Sequence, residues 1–128
     1  MLQKFISEEL QHADICIKSA KINLTHGIID ACVNRMYYAA FHAARAPVLS
    51  KDMVAKSHKG VYTMLSKEFV ATGILSREEG KMYFSLMDMR ATADYGYFAT
   101  LTQEEVDIYL PQVEAFVAKA KSLLDADA

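Results

Sequence analysis

Residues 28–46, IIDACVNRMYYAAFHAARA, constrain this chain more than any other stretch. Apolar and aromatic residues recur at helical spacing: Ile29, Cys32, Val33, Met36, Tyr37, Ala39, Ala40, Phe41 and Ala43. Together they cover nearly the whole circumference of a helix, where a surface helix would show one stripe. A helix of that kind must be wrapped by others or lie at an interface. Pro47 is expected to end it or kink it, because proline removes a donor and crowds the preceding turn.

The flanking segments supply the wrapping. Ile6, Leu10, Ala13, Ile17, Ala20 and Leu24 step by threes and fours, which predicts a helix over Leu2–Leu24 with one apolar stripe. Gly27 suits a left-handed cap behind it. Residues 50–60, SKDMVAKSHKG, read as a loop, and a short helix follows over about Lys59–Val70. Ser76 and Glu79 have capping-box spacing and open a fourth helix that runs to about Asp94. Thr102 and Glu105 repeat the device and open the last helix, with stripe Val106, Leu110, Val113, Val117, Ala120 and Leu124. Pro111 inside it predicts a kink or a later start. No segment alternates as a strand does. The expectation is an all-α bundle of four to five helices in one domain over residues 1–128, with short connections and antiparallel neighbours.

Composition removes several function classes. The 128 residues carry a formal charge of −2, so no global basic field attracts nucleic acid, and such a role needs a local patch. Cys16 and Cys32 lie in helix-like stretches without a CxxC pair or a His cluster, and read as small buried thiols in a reducing compartment. The first residues are acidic early and hold no long apolar run. They predict neither a signal peptide nor a membrane span, and the cytoplasm follows by default. No local spacing builds a metal site, no cofactor motif is present, and no nucleophile elbow is found.

Three constellations are chemically suggestive. On the second helix Arg35, Tyr38, His42 and Arg45 fall on one side at helical spacing, a cationic stripe that must face solvent, carboxylates or an anion. Near the end of the fourth, Arg90 and Asp94 can pair across a turn, followed by Tyr95 and Tyr97. At the mouth of the third, Ser57-His58-Lys59-Gly60 offers free amides beside His and Lys, a weak anion site.

Taken in order, NRMYYAAFHAARAPVLS, SHKGV, EFVATGIL and RATADYGY resemble the small stand-alone HEPN-domain proteins of bacteria and archaea. The likeness covers roughly Gly27–Leu124. It implies an up-and-down bundle, commonly a homodimer, often paired with a minimal nucleotidyltransferase in a toxin–antitoxin system. It also implies the ribonuclease mark Arg-x4-His-x-Tyr. Arg90 fits the Arg, Tyr95 occupies the His position, and Tyr97 fits the Tyr, the residue that a partner nucleotidyltransferase would adenylylate. A tyrosine with an ordinary pKa near 10 is a poor general base at neutral pH. His42 is the replacement if it packs against Arg90, with Arg35, Tyr38, Arg45, His58, Asp94 and Tyr95 as ligand-binding residues. The leading expectation is a module that binds a nucleotide, RNA or a nucleotidyltransferase. An active metal-independent endoribonuclease toxin and a purely structural interaction module stand as alternatives.

Overall fold

The computed structural model describes residues 2–55, 57–94 and 101–126. Five helices follow one another: α1 (Leu2–Thr25), α2 (Ile29–Ser50), α3 (His58–Leu65, continued by a π-helical turn over Ser66–Val70), α4 (Arg77–Asp94) and α5 (Gln103–Ala126). The described residues contain no strand.

α2 is the hub and packs on α1, α3, α4 and α5. Its apolar circumference is covered by the chain's own helices: Cys32, Met36, Tyr37, Ala39, Ala40 and Ala43 are all fully buried. The small side chains of Ala39, Ala40, Ala43 and Ala44 let neighbouring helices approach closely. α1 and α2 form an antiparallel hairpin through a Schellman turn. In it the amide of Ile28 donates to the Asn23 carbonyl at 2.9 Å and that of Gly27 to Leu24 at 3.0 Å, with Gly27 at φ +72°.

α2 does not stop at Pro47. The helix runs one further turn and ends in a second turn of the same type, where Asp52 takes the left-handed φ of 58°. The amide of Met53 donates to Val48 and that of Asp52 to Leu49. Pro47 and Val48 are buried, so tertiary packing holds the final turn despite the missing donor. α5 likewise starts at its capping box and continues through Pro111.

Both capping boxes are present. The Ser76 amide donates to Glu79 Oε1 at 2.8 Å and the Glu79 amide to Ser76 Oγ at 3.1 Å. Thr102 and Glu105 pair in the same way at 3.2 Å in each direction. Glu79 does more than cap: Lys119 on α5 donates to the same Oε1 at 2.7 Å. α1 and α5 are joined antiparallel by Lys121–Asp14 at 2.7 Å and Lys21–Glu114 at 3.2 Å. In the π turn the Ala71 amide reaches the Ser66 carbonyl at 2.8 Å. Gly73, at φ +81°, then turns the chain toward α4.

Candidate functional site

The cationic stripe of α2 is divided among partners inside the bundle. Arg35 donates from Nε and Nη2 to Asn34 Oδ1 at 3.0 and 2.7 Å, and its guanidinium lies 5.1 Å from the centre of the Tyr38 ring. His42 and Arg45 share one carboxylate. His42 Nδ1 is 2.6 Å from Glu9 Oε2, and Arg45 donates to Glu9 Oε1 at 3.0 Å. Glu9 is only 13% exposed, so this triad fixes α1 on α2 in a partly dry setting. His12 adds a ring 5.1 Å from that of His42.

A second cluster forms where α2, α3 and α4 meet. Ser57 caps α3, its Oγ accepting from the Gly60 amide at 2.9 Å, and this places His58 at the first helical position. There the imidazole packs over Phe41, with ring centres 4.6 Å apart, and its Nδ1 lies 2.7 Å from the Tyr37 hydroxyl. Tyr37 is fully buried, and burial pushes its phenol up to about 12, the neighbouring Tyr83 hydroxyl and then the Arg90 guanidinium only partly offsetting this. The proton therefore stays on the phenol at neutral pH. The hydroxyl donates to Nδ1 when His58 is neutral with its proton on Nε2, and accepts when His58 is charged. Tyr83, next to Tyr37, is also raised, by burial first and by the neighbouring Tyr37 phenol second.

Arg90 joins this cluster from α4, its guanidinium carbon 5.8 Å from the Tyr37 ring centre. Arg90 and His58 line one cleft of about 390 Å³, with Lys59, Tyr62, Phe84 and Asp88 on its walls. The cleft thus gathers a guanidinium, an imidazole, an ammonium and two aromatic rings: groups that hold phosphate, shuttle a proton and stack on a base.

Of the residues singled out in the sequence, the structure therefore brings Arg90 and His58 together. Tyr38 also reaches this cluster, its ring centre 5.9 Å from that of His58, whereas Arg35, His42 and Arg45 keep partners of their own and His42 lines no part of this cleft. Tyr95 and Tyr97 lie outside the described residues, as does the side chain of Asp94. Sequence reasoning missed Tyr37, Tyr62, Phe84 and Glu9. Tyr37 reads as core, which it is, but its hydroxyl has a polar partner. Phe84 had a usable signal, an aromatic residue on the polar side of α4. Among the described residues no three His, Cys, Asp or Glu side chains gather to hold a metal ion, and no helix is long and apolar enough to cross a membrane.

Comparison with known proteins adds the lineage. A UPF0332 protein of Thermotoga maritima is 32% identical over 123 residues, covering 96% of this chain and 93% of that one. A Methanocaldococcus jannaschii protein that bears the name "Putative toxin MJ0605" is 33% identical over 128 residues, covering 97% and 95%. A second from that organism, "Putative toxin MJ0142", is 34% identical over 95 residues, covering 74% and 65%. The family profile described as HEPN domain matches residues 6–123. A helical bundle with these relatives, matched over nearly its whole length, belongs to the HEPN-domain family.

Proposed function

We propose that this protein is the toxin-type half of a toxin–antitoxin pair, binding the phosphodiester backbone of RNA in the Arg90–His58 cleft. One observation carries the reading: a guanidinium and an imidazole line the same cleft, between α3 and α4. Arg90 supplies a charge-assisted fork for phosphate, and His58 a second donor whose orientation is set by Tyr37. The toxin names of two relatives support the same direction. In this reading His42, Arg35 and Arg45 act indirectly, by holding α1 and α2 in register beneath the cleft. The site of action is the cytoplasm, where RNA is met.

A partner nucleotidyltransferase belongs to this proposal. It would transfer AMP from ATP to the Tyr97 hydroxyl, releasing pyrophosphate and silencing the module. So does a homodimer, supported by Ile15 and Ile22, which lie seven residues apart on one face of α1 and are 62% and 52% exposed.

Expression of the chain alone is expected to arrest growth, and the purified protein to bind short RNA. Arg90→Ala and His58→Ala should each abolish the arrest and weaken binding at least tenfold, while His42→Ala should act through stability. Arrest and binding unchanged in both cleft variants would overturn the proposal.

The tie between Tyr37 and His58 favours a second, stronger reading, metal-independent cleavage. An oriented imidazole is what proton abstraction from a ribose 2′-hydroxyl needs, with Arg90 steadying the phosphate. It predicts cleavage in the presence of a chelator that is lost in His58→Ala.

A further inference from the structure

The Arg90–His58 cleft does not end at Phe84. Tyr62 and Phe84 are walls of a second, adjoining groove of about 620 Å³ that runs between the π turn of α3 and the first half of α4. Arg77, Lys81, Ser66 and Ser85 complete it. Gly80 forms the floor, where an added Cβ would stand 3.2 Å from Val70 Cγ2, so the two segments are already in close contact there.

The charges in this groove make little sense as stabilising devices. Arg77 is the first residue of α4, where the helix dipole favours an acid and opposes a cation. Arg77 and Lys81 are four apart on one helix face, so they repel. Both are exposed, and neither has an ion pair or hydrogen bond among the described residues. Phe84, three residues beyond Lys81, leaves 47% of its surface in solvent, its ring centre 5.4 Å from that of Tyr62. Two same-face cations followed by an exposed aromatic ring, leading into a cleft with another cation, form a track along α4. From Arg77 to Arg90 the helix rises about 20 Å, enough for a few nucleotides of extended strand.

We infer that the Arg77–Lys81–Phe84 groove is a second subsite for single-stranded RNA, which seats the nucleotides flanking the one held in the Arg90–His58 cleft. The inference rests on the reading of that cleft as an RNA site and extends it. Arg77 and Lys81 neutralise backbone phosphates. Phe84, backed by Tyr62, offers a stacking face for any base, so the subsite adds affinity with little sequence preference. Asp88, on the wall of the Arg90–His58 cleft, repels phosphate and accepts instead from a sugar hydroxyl or an exocyclic amine.

The test is fluorescence anisotropy with two uncleavable 2′-O-methyl oligoribonucleotides, a dinucleotide and an octauridylate. Arg77→Gln/Lys81→Gln should weaken the octamer about tenfold and leave the dinucleotide unchanged. The slope of log K against log salt should fall by about 1.4, the share of two phosphates on a single strand. Phe84→Ala should also cost about tenfold for the octamer, and Phe84→Trp should restore it. The glutamine variants should unfold at or above the parent temperature, since a repelling pair has been removed, which separates lost binding from a lost fold. Parent affinity and salt slope for the octamer in both variants would overturn the inference and leave the cleft reading standing. Loss of octamer binding in these variants, with Arg90→Ala and His58→Ala at parent affinity, would overturn the cleft reading and keep the groove. No binding of either oligonucleotide by the parent overturns both. Tighter binding of a deoxy strand of the same sequence overturns RNA as the occupant.

Discussion

The Tyr37 hydroxyl stands 2.7 Å from Nδ1 of His58, a contact between residues 21 positions apart that ties the central helix to the start of α3. Because Tyr37 is fully buried and His58 is partly exposed, the bond connects the core to the cleft. Tyr37→Phe removes the bond while keeping the ring. It should cost about 0.5–1.5 kcal/mol of stability, read by urea unfolding, and loosen the imidazole, read as broadened His58 resonances. Ligand affinity should fall with it. A variant with parent stability and unchanged His58 signals would show that the hydroxyl does not orient the ring.

Alkaline pH should unfold this protein in an ordered way. Burial pushes the Cys32 thiol up to about 11, with Asp107 adding to it, and the Tyr37 phenol up to about 12. Each folded value lies above the unfolded one, so the folded state keeps protons that the unfolded chain releases. Stability is then full below pH ~9 and falls as pH climbs through 9–12. Absorbance of tyrosinate should show two of the seven tyrosines, Tyr37 and Tyr83, ionising only as the fold is lost. Their titration with an intact circular-dichroism spectrum would contradict this.

Glu79 answers to two elements, and acid should expose that. Burial raises its carboxyl, but hydrogen bonds from Lys119 and the Ser76 amide outweigh it and hold the group below the ordinary carboxylate value. The depressed folded value means that stability is present above the unfolded pKa near 4.5 and is lost as pH falls through the folded one. Ser76→Ala should cost about 1 kcal/mol as a lost cap. Glu79→Gln should cost more and flatten the acid limb of a stability–pH curve. Equal costs for the two variants would mean that Lys119 adds nothing.

Glu9 is the shared acceptor of His42 and Arg45. Glu9→Ala leaves the Arg45 guanidinium and the His42 imidazole without their shared carboxylate in a half-buried seam, and should destabilise by about 1–3 kcal/mol. Arg45→Ala should cost less, since His42 keeps its carboxylate. A double-mutant cycle over Glu9 and His42 measures the coupling, and a value of zero would make the 2.6 Å contact irrelevant to stability.

The helices and their starts were legible because the information is local. The stripe of α1, the capping boxes at Ser76 and Thr102 and the left-handed Gly27 each act within a few residues. The run of α2 past Pro47 was not legible, because its last turn is held by burial of Pro47 and Val48, a tertiary effect. The candidate site was half legible. The sequence marks Arg90 and His58 separately as chemically suggestive, and marks α2 as a cationic stripe. Which carboxylate finds that stripe depends on the hairpin bringing Glu9 opposite His42, 33 residues away. The same limit hid Tyr37 as the partner of His58. A residue pattern that announces burial says nothing of where a buried hydroxyl will point.

The π turn at Ser66–Val70 carries a consequence for how this scaffold can vary. Val61, Leu65 and Phe69 all face the core, yet straight α winding would swing Phe69 about 80° away from Val61. The wider turn brings it back by holding one residue more than an α turn needs. That residue is slack. A one-residue deletion within 66–70 can be taken up by rewinding the turn, with Ser57 still capping α3 and Ser76 still opening α4. Length changes in this lineage can therefore be absorbed in α3, at a distance from His58 and Arg90.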